Sequence, residues 1–452
     1  MTLLNELSAE VCQRARMSRD PRFDGRFFVA VKTTGIFCRP ICPANLPKEE
    51  NVEYFSSQAL AVSAGYRPCL RCRPESAPHS WAWKGAETTF LRALTLIEQG
   101  ELDGSLETLA SRLGISDRYL RQLFQRHLGM PPKQYAQIQQ LMFAKQLLHT
   151  SQISITEVAY ASGFQSTRRF NDAFQKLFRL TPTQVRRERA ALPSRNHLSL
   201  AFRGPFDWAH MLDFYRLRAI EGMELVDEQS YQRHFVLGEG TGWFKASMAQ
   251  SHLDIEFEME RLSDLRHLVA RLRRMFDLDA DLFSIEAHLE QLAPGLVRRT
   301  GIRIPGVWNA WEAGVRAVLG QQVSVKAAIG QLNLLVSTLA ASEGSTRYFP
   351  TPEQVQMSDL SFLRMPERRK ETLKRLADYV RLHPMDSPMA WLSLSGIGPW
   401  TVDYAQLRGE SRSHCFLTGD LIVKKALAKF PQLTAESVAP WGSYATFHCW
   451  SH

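Results

Sequence analysis

Four cysteines near the N-terminus constrain this chain more than any other feature. They stand as Cys38-Arg-Pro-Ile-Cys42 and Pro68-Cys69-Leu-Arg-Cys72, with 26 residues between the pairs. Two close pairs at a domain-sized distance suit one tetrahedral zinc: each pair bites the ion, and the chain between folds over it. Disulfides are the competing use of paired cysteines. They belong to small secreted domains, and no signal peptide is expected from the first residues. One Zn2+ held by Cys38, Cys42, Cys69 and Cys72 is therefore expected. Lys32, Thr33, Thr34, Arg39, Arg67, Arg71 and Arg73 interleave with these cysteines. Four thiolates on one zinc leave a formal charge of about −2. The cations can offset that charge, or they can bring a phosphate backbone to the metal.

The chain has 452 residues, too many for one core, and suggests about three domains. No apolar run approaches the ~20 residues of a membrane-spanning helix. Residues 1–198 carry 27 Lys and Arg against 17 Asp and Glu, whereas the remainder carries 28 against 29. The basic part is the electrostatic anchor expected for nucleic acid, and the near-neutral part must bind DNA by other means, if at all. Seven cysteines suit a reducing, bacterial-type cytoplasm, with Cys12, Cys415 and Cys449 expected as small buried hydrophobes. No membrane association is expected, and the protein is expected to act as a monomer.

A proline- and serine-bearing linker is read over residues 76–85, then a helical pattern over 86–189. Ser105 caps a helix that Gly114 ends; Ser116 caps a second one. The second helix is expected to put Tyr119, Leu120, Leu123 and Phe124 on one side and Arg118, Arg121, Gln122 and Arg126 on the other. Helix, glycine turn and basic helix make a helix-turn-helix. The pattern returns at Ile153–Phe164 and Ser166–Phe178, with Arg168, Arg169 and Lys176, after a joining helix over about 135–149. Any small bundle has amphipathic helices and glycine turns, but two such units spaced about 50 residues apart are a stronger signal. A second linker is read over 190–198. Beyond it, strand-like runs such as Arg233-His-Phe-Val-Leu mix with helices, and from about residue 305 the pattern is mainly helical.

Near the C-terminus, Leu394-Ser-Gly-Ile-Gly-Pro-Trp-Thr401 places Gly396 and Gly398 in a tight turn that opens a helix. Such a turn lets backbone amides approach phosphate. Asp420 follows in Phe416-Leu-Thr-Gly-Asp420, just before an apolar helical run. By itself Asp420 reads as a helix N-cap.

Three resemblances follow from these residues. The run Asp24-Gly-Arg-Phe-Phe-Val-Ala-Val-Lys-Thr-Thr-Gly-Ile-Phe-Cys-Arg-Pro40 with Arg67-Pro-Cys-Leu-Arg-Cys72 resembles the N-terminal domain of the bacterial Ada family. That resemblance implies Cys38 as the acceptor of a methyl group from a DNA methylphosphotriester, with Cys42, Cys69 and Cys72 as the other ligands. No Pro-Cys-His context is present, so no activity on alkylated guanine oxygen is expected. The segment ISITEVAYASGFQSTRRFNDAFQKLFRLTP resembles AraC-type DNA-binding domains. It implies two recognition helices in successive major grooves, with Arg118, Arg121, Arg168 and Arg169 as contacts and a promoter site among the partners. Residues 199–450 resemble the helix-hairpin-helix DNA glycosylases of AlkA type, through Pro205-Phe-Asp-Trp208, Arg274-Met-Phe-Asp-Leu278, Ala317-Val-Leu-Gly-Gln-Gln-Val-Ser324, the glycine turn, Asp420 and Trp441-Gly-Ser-Tyr-Ala445.

The last resemblance implies double-stranded alkylated DNA as substrate, Asp420 as the catalytic carboxylate, and a base pocket of Trp400, Tyr404, Phe214 and Trp450. Core packing is the alternative for Phe214 and Tyr404. Gly396, Gly398, Thr401, Gln322, Arg39 and Arg71 are expected at DNA. Trp400 stands where lyase relatives carry lysine, so a monofunctional glycosylase is expected. Three departures are visible: polar Gln322 where the family's wedge is apolar, with Gln321 able to share the role; Ser395 in place of a proline; and a pattern shortened after Trp450. The expected fold is multidomain: a small α/β zinc domain over 1–75, an all-α double helix-turn-helix domain, an α+β subdomain over 199–300 and a helical helix-hairpin-helix domain over 301–452. Two rival readings stand beside the enzyme: a damage-sensing regulator whose C-terminal half binds without catalysis, and a zinc module that only helps hold DNA.

Overall fold

A computed structural model describes residues 7–20, 23–72, 74, 81–98, 100, 102, 105–187, 196–340, 342–344, 346–384 and 386–451. The chain divides into two compact units, Met1–Gln139 and Gln140–His452.

In the first unit, α1 (Ala9–Met17) is capped by Ser8. Strands β1 (Phe28–Val31), β2 (Ile36–Cys38), β3 (Val52–Phe55) and β4 (Arg67–Pro68) form one sheet in the order β3-β1-β2-β4, and α2 (Gln58–Ser63) precedes β4. Alternation along β1 buries both faces of the sheet. Phe27, Val29 and Val52 pack with Cys12 and Ala15 of α1, while Phe28, Ala30 and Phe37 pack with Ala61 of α2. The pairing of β2 with β4 is parallel, so Cys38 and Cys69 leave the sheet at the same end. The Cys69 amide donates to Phe37 O at 3.0 Å and fixes that register.

Helix α3 (Trp81–Glu98) begins within the stretch read as a linker over 76–85; residues 76–80 lie outside those described. Helices α4 (Leu106–Arg112) and α5 (Asp117–Leu128) are capped by Ser105 and Ser116 as expected. Gly114 turns between them at φ +68°, a conformation that only glycine adopts cheaply. Their core joins Phe90, Ile97, Leu109, Leu120, Leu123 and Phe124. Tyr119 is exposed rather than buried on the apolar side: one turn before Leu123, it lies at the edge of the stripe formed by positions 120, 123 and 124. Helix α6 (Pro132–Thr150) contains the division between the two units.

The second unit opens with the second helix-turn-helix: α7 (Ile155–Ala161), α8 (Thr167–Phe178) and α9 (Pro182–Arg187). Ser154 and Glu157 form a capping box at α7, and Ser166 caps α8. Strand β5 (His197–Ala201) starts inside the stretch read as a second linker over 190–198; residues 190–195 lie outside those described. After α10 (Trp208–Arg216) come β6 (Glu224–Val226), β7 (Ser230–Leu237), β8 (Gly240–Met248) and β9 (His252–Met259), which with β5 make an antiparallel sheet in the order β5-β9-β8-β7-β6. Helix α11 (Leu265–Met275) covers it.

Helix α12 (Leu282–Leu292) lies within the region assigned to the α/β subdomain, yet Leu282, Ile285 and Leu289 pack with the C-terminal helices. The helical part comprises α13 (Ala310–Gly320), α14 (Val325–Leu339), the short pair β10 (Ser342–Glu343) and β11 (Thr346–Arg347), α15 (Pro352–Met357), α16 (Glu367–Leu382), α17 (Pro399–Gly409), α18 (Leu421–Leu427) and α19 (Gly442–Trp450).

A buried ionic cluster pins the sheet to these helices. Arg233 of β7 bonds Glu224 at 3.0 Å and Glu312 of α13 at 2.5 Å, and Arg316 bonds Glu224 at 3.1 Å and Glu312 at 2.9 Å. Burial alone would raise the Glu312 carboxyl, but Arg233 and Arg316 hold it down at about 2. Two arginines and two glutamates leave no net charge, which makes so dry a cluster tolerable.

Candidate functional site

The four cysteine sulfurs lie within 4.8 Å of one another at the ends of β2 and β4. A tetrahedral zinc with bonds of about 2.3 Å sets its sulfurs about 3.8 Å apart, so this quartet fits the ion and needs little movement to close on it. As bare thiols the four influence one another: Cys38 donates to Cys72, whose thiol is pushed down to about 6, while the same bond and burial push Cys38 up. Cys42 and Cys72 are buried, and Cys38 and Cys69 are half-exposed. Burial thus leaves two sulfurs accessible, where spacing alone left four.

Arg39 does not reach outward as expected. Its guanidinium is bound to the buried Asp24 carboxylate, with Nε to Oδ1 at 2.8 Å, and Nη1 donates to Cys72 O at 3.4 Å. Its backbone amide donates to Cys72 Sγ at 3.4 Å. Arg39 therefore braces the cysteine loop. Arg67 and Arg71 are exposed and carry no ion pair among the described residues, so they remain the cations open to a phosphate. Cys12, Cys415 and Cys449 are buried, as their isolation in sequence suggested.

Arg118 and Arg121 on α5 and Arg168 and Arg169 on α8 are all exposed. Arg121 is bound to Asp117 at 3.0 Å; the other three have no ion pair among the described residues.

The third constellation is assembled from distant parts of the chain. Phe214 of α10, Trp400 and Tyr404 of α17 and Trp450 of α19 meet at one hydrophobic cluster. Trp400 stacks on Tyr404 with centroids 5.4 Å apart, and Trp450 lies parallel to Phe214 at 6.3 Å. Phe214 is buried, whereas Trp400, Tyr404 and Trp450 are half-exposed, so Phe214 backs the group rather than opening onto it. Asp420 caps α18: its Oδ1 accepts from Ile422 N at 2.9 Å and Val423 N at 3.2 Å. The same oxygen accepts from Trp450 Nε1 at 3.1 Å, and Oδ2 has no protein partner among the described residues. The cap reading and the functional reading of Asp420 are therefore compatible. Three donors orient the carboxylate, and its second oxygen is left for a ligand.

Gly396 has φ +92°, and a methyl group there would collide with the Thr372 hydroxyl of α16. The Gly396 and Gly398 amides donate to no protein acceptor among the described residues, which suits an anion. Thr401 is different: its side chain is buried, its amide donates to Gly398 O at 3.0 Å, and its hydroxyl accepts from Gln321 Nε2 at 3.2 Å. Thr401 shapes the turn rather than facing outward. Gln321 also donates to Gly396 O at 3.2 Å, so it is tied to the turn and is not free to act as a wedge. Gln322 is exposed, with φ +58°, beside the turn.

Two arginines went unread in the sequence. Arg218 lies 3.7 Å from the Phe214 ring centre, and its guanidinium is pushed down to about 10 by burial. Arg408 donates to Tyr404 Oη at 2.9 Å and lies 4.7 Å from the Phe214 ring centre. The available signal was spacing: each stands four residues after an aromatic, one helical turn away.

Three family descriptions match the chain: the metal binding domain of Ada over residues 11–75, a helix-turn-helix domain over 109–188 and the AlkA N-terminal domain over 197–309. The quartet Cys38, Cys42, Cys69 and Cys72 holds one Zn2+. A probable bifunctional transcriptional activator/DNA repair enzyme AlkA of Mycobacterium tuberculosis (strain ATCC 25618 / H37Rv) is 34% identical, over 98% of this chain and 96% of that protein. DNA-3-methyladenine glycosylase 2 of Escherichia coli (strain K12) is 33% identical over 56% of this chain and 96% of its own length. The bifunctional transcriptional activator/DNA repair enzyme Ada of the same organism is 35% identical over 38% of this chain and 47% of its own length. No helix among the described residues is long and apolar enough to cross a membrane.

Proposed function

Since the chain belongs to the family of bifunctional transcriptional activator/DNA repair proteins that join an Ada-type metal domain and a helix-turn-helix to an AlkA-type region, we propose that it repairs alkylated DNA by two separate chemistries. The first is hydrolytic excision of alkylated purines of the 3-methyladenine kind. The Gly396 and Gly398 amides hold a backbone phosphate, Gln322 enters the gap left by the everted nucleotide, and the base enters the space bounded by Trp400, Tyr404 and Trp450. An alkylated purine is already cationic and leaves readily. Asp420 Oδ2 then faces an oxocarbenium-like sugar, which the carboxylate stabilises or supplies with an oriented water. Trp400 in place of a Schiff-base lysine makes the enzyme monofunctional.

The observation that carries this reading is the Asp420 carboxylate, fixed by two backbone amides and Trp450, with one oxygen unpaired among the described residues. Release of free 3-methyladenine from methylated duplex DNA tests it, wild type beside Asp420→Asn. Release by the wild type alone is the expected result. If neither protein releases base, the C-terminal half binds without catalysis and the regulator reading takes its place.

The second chemistry is methyl transfer to Cys38. Bound zinc keeps its ligand sulfurs deprotonated at neutral pH. The Cys38 sulfur forms a bond to the methyl carbon while the carbon–oxygen bond of the phosphotriester breaks, and the electron pair stays on the phosphate oxygen. Arg67 and Arg71 bring the backbone to the half-exposed sulfur. The product is a thioether, so each molecule reacts once. The site also loses one negative charge, which strengthens its hold on DNA and provides a signal for the helix-turn-helix. A gain of one methyl in the mass of the Cys38 peptide, after incubation with methylated DNA, is the expected result. An unchanged mass leaves a zinc module that only helps hold DNA.

A further inference from the structure

The second helix-turn-helix is not a free module within its unit. Leu141, Ala144, Leu147, Leu148, Ile153, Val158, Phe164, Phe170, Phe174 and Val185 belong to the same continuous hydrophobic core as the sheet residues Leu198, Tyr231, Phe244 and Phe257. Ile155 of α7 and Leu262, in the turn just before α11, pack against that core, and α7 and that turn are direct neighbours. Helix α8, with Arg168 and Arg169 exposed in its first turn, is therefore mounted on the glycosylase body. Helix α5 is built on a separate core.

Charge gives this mounting a purpose. Residues 140–187 carry seven Lys and Arg against two Asp and Glu, whereas residues 199–452 carry 28 against 29. On α16 half of the cations are neutralised, Lys370 by Glu367, Arg375 by Glu371 and Arg381 by Asp378, while Arg368, Arg369 and Lys374 have no ion pair among the described residues. Arg168 and Arg169 have no ion pair among the described residues. Non-specific hold on duplex DNA comes from cations that displace counterions from phosphates, so a neutral body has little of it.

We propose that α8 is the DNA anchor of the glycosylase: Arg168 and Arg169 grip the phosphate backbone of any duplex and hold the excision pocket on DNA independently of operator sequence. The inference rests on the glycosylase reading. It assigns the second helix-turn-helix a task in repair beside its task in regulation.

The test uses the full chain, with Arg168→Ala/Arg169→Ala compared with Arg118→Ala/Arg121→Ala. The substrate is methylated duplex DNA of random sequence, and each variant's fold is checked by its melting transition. The α8 pair is expected to raise KM for base release about tenfold with kcat within about twofold, and to flatten the log–log salt dependence of binding by about 1.8, the value for two lost phosphate contacts. The α5 pair is expected to give smaller changes in both. Arg168→Lys/Arg169→Lys, which keeps the charge, restores the salt slope. Equal effects of the two pairs, or no effect of the α8 pair, overturn the proposal. If the wild type releases no base, the glycosylase reading fails. The salt slope on a duplex with one tetrahydrofuran abasic-site analogue then still decides whether α8 anchors this unit.

Discussion

The zinc centre and the proposed base pocket are built in opposite ways. All four zinc ligands lie between Cys38 and Cys72, at the ends of two paired strands. The proposed pocket draws Trp400, Tyr404, Asp420 and Trp450, with Phe214 behind them, from segments spread across the second unit. A local centre depends on one metal and fails with it. A distributed centre depends on every core that aligns its walls, and it can be degraded by steps.

That contrast can be broken in several places. Removing the metal is the most severe. Cys72→Ser should release zinc and unfold the small sheet around it, since binding a structural zinc is worth about 10 kcal/mol or more. Base release by the second unit should persist; its loss would show that the two centres are coupled. Next comes Asp420→Asn, expected to lower the rate of base release by about 10²–10³-fold without changing zinc content. Trp450→Phe keeps the ring but removes the donor to Asp420 Oδ1. One hydrogen bond to a charged group is worth about 1.5–3 kcal/mol, so kcat should fall roughly tenfold or more. A fall in affinity alone would mean that Trp450 only stacks.

The smallest expected effect is on stability. Asp277 is buried, accepting from Tyr444 Oη at 3.0 Å and Ile304 N at 3.2 Å, and burial pushes its carboxyl up to about 7. A carboxyl raised in the folded state supports folding at low pH, and that support is lost as pH rises through about 7. The melting temperature should therefore fall between pH 5 and pH 8, and Asp277→Asn should shrink that fall by a few degrees. An unchanged pH dependence would remove Asp277 as its source.

How legible each centre was follows from the same contrast. Cysteine spacing announces a metal site by itself, serine caps with a glycine turn announced α4 and α5, and the return of that pattern announced α7 and α8. Both are local signals. The bracing of Arg39 was not legible because its partner Asp24, fifteen residues upstream, becomes a neighbour only after the sheet folds. Thr401 was misjudged because Gln321 is eighty residues away. Resemblance brought the four aromatics together, yet Arg218 and Arg408 were missed although a single helical turn separates each from its ring. The merging of α7 with the sheet had no sequence signal, since an apolar face shows that it is buried but not against what.

That shared core has a further consequence. One family description ends at residue 188 and the next begins at 197, which marks a seam in the sequence. The compact unit begins instead at Gln140, inside a helix. Sequence families and packing therefore divide this chain at different places. A fragment cut at that seam and started at His197 would leave bare the surface that now covers Ile153, Val158 and Phe164. Such a fragment should be sticky and poorly soluble. Polar substitutions on that surface should restore its solubility.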